Sequence, residues 1–277
     1  MIQDIFPHHL DNHYNPKAMP DDRSRIFYFH GNKIFLQTRR PSMLPLYNEL
    51  PSEKVTYLFS LDGISCFLAE SERQVFPEGE WLTLRNLRSR KNLPKEEIYA
   101  VWTAGHIERW MRNTRFCGAC GCETEPSPIE RARICPHCGN TIYPRLNPAI
   151  IAAVVWEDRL LLTHYANRPQ AQYALVAGYT EIGETLEETA KREVMEETGL
   201  SVKNLKYYKS QPWATAADIL SGFWCEVHGN PEIHVDGMEL DHAFWAKREE
   251  IILQSDDFSL TNEMMSLFKN GYKPFGK

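Results

Sequence analysis

The chain has 277 residues, 43% of them hydrophobic and 25% charged, enough for roughly two soluble domains with a real core. Its net charge of −6 excludes a surface that is basic throughout, as a dedicated nucleic-acid or anionic-membrane binder would carry, although a local basic site remains open. The longest apolar run, Ala149 to Trp156, is far too short to span a bilayer, and the leading MIQDIFPHHLDNH is neither basic nor apolar enough for a signal peptide. No membrane partner and a cytoplasmic location are therefore expected.

Residues 1–112 mix short strand-like runs (Arg25–Phe29, Lys33–Gln37, Val55–Leu61) with turn signals at Gly31-Asn32 and Asp62-Gly63, and read as an N-terminal α+β domain. Cys66 lies in an apolar run, as Cys225 does later, and both read as small buried hydrophobes. The basic segment Arg85–Lys91 has no interleaved aromatic residue, which favours a solvated loop over a strip for nucleic acid.

Residues 113–144 form a Cys- and Gly-rich insert. Cys117, Cys120, Cys135 and Cys138 give C-x2-C-x14-C-x2-C, in which each pair grips one tetrahedral ion from a tight turn. Gly118, Gly121 and Gly139 offer the backbone freedom such turns need. Cys122 and His137 are competing ligands, but neither keeps the symmetric pair spacing. Four thiolates leave no open position for substrate, so one structural Zn²⁺ per chain is expected.

Residues 145–277 change texture again. Ala149–Trp156 and Leu160–His164 read as a hairpin turned by Glu157-Asp158-Arg159. Tyr173–Ala177, Leu205–Ser210, Ile219–Val227 and His242–Ala246 read as further strands, Glu187–Thr198 and Ser259–Lys269 as helices. A mixed sheet covered by helices follows, an α/β fold. On the first helix Glu193, Glu196 and Glu197 fall along one edge, where like charges repel unless a divalent cation reverses the sign. Hard Mg²⁺ or Mn²⁺ suits such oxygens. Gly199 is a stop signal, Arg192 is placed to brace Glu184, and Val194 and Met195 are expected to face the core.

Gly178 to Leu200 matches G-x5-E-x7-R-E-U-x-E-E-x-G-U, U being apolar, and so resembles the Nudix box at every fixed position. The resemblance implies a Nudix α/β/α sandwich that hydrolyses a nucleoside diphosphate linked to another group. It implies Glu193 and Glu197 as metal ligands, Glu196 as a further ligand or the water-activating base, and the Ala177 carbonyl as another metal contact. With the ribbon and Ser210-Gln211-Pro212-Trp213, about residues 80–270 resemble the NADH pyrophosphatase (NAD⁺ diphosphatase) family. That resemblance implies cleavage of NAD(H) to nicotinamide mononucleotide and AMP by a homodimer with one zinc and several Mg²⁺ or Mn²⁺ ions.

By the same resemblance Tyr143 and Tyr179 contact the nucleotide, core packing being the alternative for each. Gln211, Pro212, Trp213, Ala214, Thr215, Ala216, Ala217 and Asp218 fill the specificity segment, and Glu239 is a distal metal ligand or else a plain loop carboxylate. Arg88 and Thr261 are further substrate contacts. The family's segment usually reads SQPWPFPxS, whereas this chain has SQPWATAAD, which removes an aromatic wall from the expected pocket and introduces an acid. Two other readings stay open: removal of 5′ NAD caps from RNA or hydrolysis of another nucleoside diphosphate derivative, and a non-catalytic ligand-sensing module. The complete box speaks against the last.

Overall fold

Ten residues, Asn147–Trp156, form the strand (β1) around which the C-terminal half of the chain is built. The computed structural model describes residues 1–37, 42–50, 54–70, 78–90, 93–166, 173–235, 237 and 239–276. These divide into two compact units: Met1 with 146–213 and 217–277, and 2–145 with 214–216.

In the first unit β1 is followed by β2 (Arg159–Tyr165), β3 (Val176–Tyr179), helix α1 (Leu186–Thr198), β4 (Val202–Trp213), β5 (Asp218–Val227), β6 (Leu240–Lys247) and helix α2 (Leu260–Lys269). The sheet runs β4-β5-β1-β2-β6, and β3 pairs with the first half of β1. Only the β1–β5 contact within this sheet is parallel. Alternate β1 residues point to opposite faces, as a period of two demands. Ile151, Ala153 and Val155 pack with Trp224, Met264, Met265 and Phe268 beneath α2. Ile150, Ala152 and Val154 pack with Phe223, Cys225, Ala190 and Val194 beneath α1. With both faces covered, β1 is a continuous apolar run rather than an alternating one. This is the α/β/α sandwich of the Nudix fold.

The strands of this unit fall in the expected places, the one expected at Leu205–Ser210 running longer as Val202–Trp213, and three further details differ. The β1–β2 turn is Glu157-Asp158 alone, because Arg159 already pairs with Trp156. The strand expected at Tyr173–Ala177 lies slightly later, because Tyr179 and Gly178 pair with Ala149 and Ile150. Met195 is 43% exposed, not core-facing: the buried stripe of α1 is Ala190, Val194 and Thr198, spaced by four, and Met195 stands off it.

In the second unit Val55–Leu61 and Ile64–Ala69 form a hairpin across Asp62-Gly63, both at positive φ (54° and 75°), the geometry that a tight two-residue turn requires. Leu10–Asp11 and Arg25–Phe27 flank it, while Phe29–His30, Lys33–Gln37 and Gly79–Thr83 make a separate three-stranded sheet. The strand-like texture of this region conceals a helix, Lys95–Asn113, which the sequence reading missed. Pro94 stands at its N-cap, Glu96 and Glu97 in its first turn, and Ile98, Val101, Trp102 and Gly105 form its buried face at helical spacing. Of the basic segment, Arg85–Leu87 lies in a short helical turn, Arg90 pairs with Glu80 at 2.6 Å, and Lys91 lies outside the described residues. Cys66 and Cys225 are wholly buried, and burial pushes both thiols up to about 12. Among the described residues no helix is long and apolar enough to cross a membrane.

Candidate functional site

The box begins where β3 leaves the sheet. Thr185 caps α1: its hydroxyl accepts from the Glu188 amide, while the Glu188 carboxylate accepts from the Thr185 amide at 2.8 Å, so two otherwise orphaned donors are satisfied reciprocally. Gly199, at φ 69°, ends the helix. Burial of Ala190 and Val194 holds this strongly charged helix to the sheet; full burial of a Val side chain contributes about 1.5–3 kcal/mol.

Arg192 organises the exposed face. Its Nε and Nη2 donate to the two oxygens of Glu184 at 2.6 and 2.9 Å, the bidentate brace expected from the sequence. Its Nη1 donates to Glu193 Oε1 at 2.8 Å and Glu196 Oε2 at 2.9 Å, and Nη2 also reaches the Tyr179 carbonyl at 2.9 Å. The guanidinium holds the Glu184 carboxyl down at about 2, helped by the Glu181 amide. Burial pushes the Glu193 carboxyl up, Arg192 draws it part-way back, and the charges of Glu196 and Glu239 add to the push. Glu239, twelve residues past the end of β5 and in no regular element, is thus close enough for its charge to act on Glu193.

Gly178 has a steric reason. A Cβ on it would fall on the Glu193 carboxyl, so glycine leaves room for that side chain to lie against β3. The Ala177 carbonyl belongs to the residue just before this crossing. Glu197 is 4% exposed and Glu196 is open to solvent, so the carboxylate edge runs from buried to exposed. These hard oxygen donors, two of them on deeply set side chains, fit a divalent cation by chemistry, since anionic groups at that depth are costly unless a cation balances them. The carboxylates do not yet converge. Among the described residues, the groups of three or more with ligand atoms within 4.8 Å of one another contain cysteine and histidine, not glutamate. Arg192 stands between Glu193 and Glu196, so a bound ion would use their remaining oxygens or draw them away from the guanidinium.

The specificity segment is the end of β4, a turn and the start of β5. Gln211 is fully buried; its Nε2 donates to the Phe258 carbonyl and its Oε1 accepts from the Leu260 amide, both at 2.7 Å, tying β4 to the start of α2. Pro212 and Trp213 pair with Ile219 and Asp218. Ala217 turns at φ 65°. Asp218 is buried and joined to Tyr179 and Asn147, a link that no motif revealed. Thr261 is half-buried in the first turn of α2. Ala214, Thr215 and Ala216 belong to the other unit, where Arg109 donates to the Ala214 carbonyl and to that of Thr215 at 2.9 Å. Tyr143 and Arg88 also belong there. Tyr143 is 57% exposed with its hydroxyl 3.0 Å from Glu130, and Arg88 follows the helical turn Leu84–Leu87.

The four ribbon cysteines converge. Cys117 and Cys138 sulfurs lie 3.6 Å apart, Cys120 and Cys135 3.4 Å. Zn–S bonds of about 2.3 Å in a tetrahedron put sulfurs about 3.8 Å apart, so the donor set fits zinc. The two knuckles repeat one geometry: the Gly121 amide donates to the Cys117 carbonyl and the Gly139 amide to that of Cys135, each glycine at a φ above 70°. Gly118 adopts no such φ and is not needed for the turn. The Ala119 amide and Asn140 Nδ2 donate to the Cys117 sulfur and pull that thiol down to about 6, toward the thiolate that binds metal. Cys122 and His137 also gather beside Cys120, forming a second group of three.

Residues 145–268 match the family described as NUDIX domain, and residues 112–143 match the NADH pyrophosphatase zinc ribbon domain. Over 183 residues the chain is 36% identical to "NAD-capped RNA hydrolase NudC" of Salmonella typhimurium, covering 64% of this chain and 71% of that protein. The NudC protein of Salmonella typhi is similar to the same extent. A crystal structure of a NUDIX hydrolase from Nitrosomonas europaea aligns with a TM-score of 0.48 and 22% identity, over 57% of this chain and 92% of that one. At 36% identity over 71% of that relative's length, and with both family models matched, the chain belongs to the NADH pyrophosphatase family of Nudix hydrolases.

Proposed function

We propose that this enzyme hydrolyses the pyrophosphate of NAD(H) or a closely related dinucleotide, releasing nicotinamide mononucleotide and AMP, and that it works with Mg²⁺ or Mn²⁺ as a cytoplasmic homodimer. The observation that carries this reading is the braced carboxylate edge of α1 beside the Gly178 crossing, in a chain whose relatives bear the NudC name. Glu193, Glu197 and Glu239, with the Ala177 carbonyl, would hold the divalent ions, which when bound supply charge to the phosphate oxygens and acidify water. Glu196, exposed and next to Glu197, would take a proton from the attacking water. Arg192 keeps Glu193 and Glu196 oriented and also holds the carbonyl of Tyr179, whose ring is exposed. No nucleophilic Ser or Cys is required, since attack by water on phosphorus needs positioning and charge stabilisation more than covalent help.

The test is a product assay of the purified protein with NAD⁺, NADH, ADP-ribose and NAD-capped RNA, with each metal in turn. Glu196→Gln and Glu197→Gln are each expected to lower kcat by at least about 100-fold while the melting curve stays cooperative. Near-normal turnover in either variant would remove that residue from the site. Removal of NAD caps from RNA is the second reading, favoured by the activity for which the Salmonella relatives are named. It predicts turnover on capped RNA that falls steeply with salt, while turnover of the free dinucleotide does not.

A further inference from the structure

Asp218 opens β5 and is only 5% exposed. Its Oδ1 accepts from Asn147 Nδ2 at 3.2 Å, and both of its oxygens lie 3.3 Å from the Tyr179 hydroxyl. Strand register builds this corner. Asn147 starts β1 directly opposite Asp218, and Tyr179 ends β3 opposite Ala149, two residues further along β1.

The Tyr179 ring is therefore held at two ends. Its hydroxyl donates to Asp218, and its carbonyl accepts from Arg192. The residue nevertheless stays 54% exposed, and it directly follows Gly178, which touches Glu193. An exposed aromatic ring is thus anchored through its carbonyl to the arginine that braces the carboxylates, with a buried carboxylate behind its phenol. A phenol that donates to a carboxylate is electron-rich, and the face of an electron-rich ring attracts cations. A serine, usual at this position in the family segment, could make the hydrogen bond without the charge.

Resting on the dinucleotide reading above, we propose that Asp218 is a specificity-determining positioning residue: through Tyr179 it makes the site favour the oxidised dinucleotide, whose nicotinamide ring is cationic, over the reduced form, whose ring is neutral. Adenine is neutral in both forms and does not enter the comparison. The bias belongs to binding, so it falls on KM rather than on kcat.

The experiment compares kcat and KM for NAD⁺ and NADH, with Mn²⁺, in the wild-type enzyme and in Asp218→Asn, Asp218→Ser, Tyr179→Phe and Tyr179→Leu. Isothermal titration of nicotinamide mononucleotide and of its reduced form provides a readout independent of turnover, and thermal melts confirm folding. Asp218→Asn keeps shape and acceptor but removes the charge, and should lower the NAD⁺/NADH ratio of kcat/KM about two- to five-fold, through KM for NAD⁺. Asp218→Ser should do the same. Tyr179→Leu should lower the ratio further and make it insensitive to a second Asp218→Asn change, while Tyr179→Phe should fall between. A wild-type enzyme that prefers NADH, or a ratio and mononucleotide affinity unmoved by Asp218→Asn in folded protein, overturns the inference and leaves the dinucleotide reading standing. A wild-type enzyme that cleaves neither dinucleotide overturns both.

Discussion

Arg192 meets three carboxylates and a backbone carbonyl with one planar group. Lysine, a point charge on a flexible stem, cannot reproduce that fork. Arg192→Lys is expected to lower activity or metal affinity about 10- to 100-fold, the usual cost of losing a group that orients metal-binding carboxylates; saturation with Mn²⁺ at unchanged half-point and rate would contradict the bracing role. Glu184 supplies the pH signature of the same contact. Its folded pKa is held at about 2, below the ordinary 4.5, so it stabilises the fold fully above pH 4.5, and that contribution disappears as pH falls from 4.5 toward 2. Glu184→Gln should therefore show a shallower loss of melting temperature across that window than the wild type. Coincident curves would mean that the brace adds nothing to stability.

At the scale of elements, α1 depends on its cap and on one steric gap. Thr185→Ala removes one half of a reciprocal pair and should cost about 1 kcal/mol, read by urea unfolding. Gly178→Ala is expected to be far more damaging to activity than to stability, because β3 or the Glu193 side chain must shift to admit the methyl group. Full activity in this variant would show that Glu193 does not need its present position. Met195→Gln should change stability by no more than about 0.5 kcal/mol, since the side chain is off the buried stripe. Box, helix stop and brace were legible because they are local: the box lies within 23 consecutive residues, and Arg192 is eight residues from Glu184. The Lys95–Asn113 helix was legible too, from Pro94, Glu96-Glu97 and the spacing of Ile98, Val101, Trp102 and Gly105, but the strand-like runs before it masked that signal.

For the whole molecule, the ribbon makes metal part of the fold. Its strands are two residues each, too short to hold together by pairing alone, so four thiolates on one ion should supply much of its stability. One zinc per chain should co-purify, and Cys117→Ser or Cys138→Ser should lower both zinc content and melting temperature. Zinc-free, fully folded protein by elemental analysis would end this assignment.

What the sequence by itself determined was the chemistry that repeats at short range: four thiols in two pairs, a row of carboxylates with its arginine, and the apolar β1 run that needs cover on both faces. Tertiary structure decided what depends on strand register. Asp218 and Tyr179 are 39 positions apart and carry no motif relating them, yet β1 pairs with β3 on one edge and β5 on the other and so brings the two side chains together. The same register put Gly178 against Glu193, and the packing of α1 turned Val194 inward and Met195 out. Local spacing sets which side chains share a face; only the pairing of distant strands sets which faces meet.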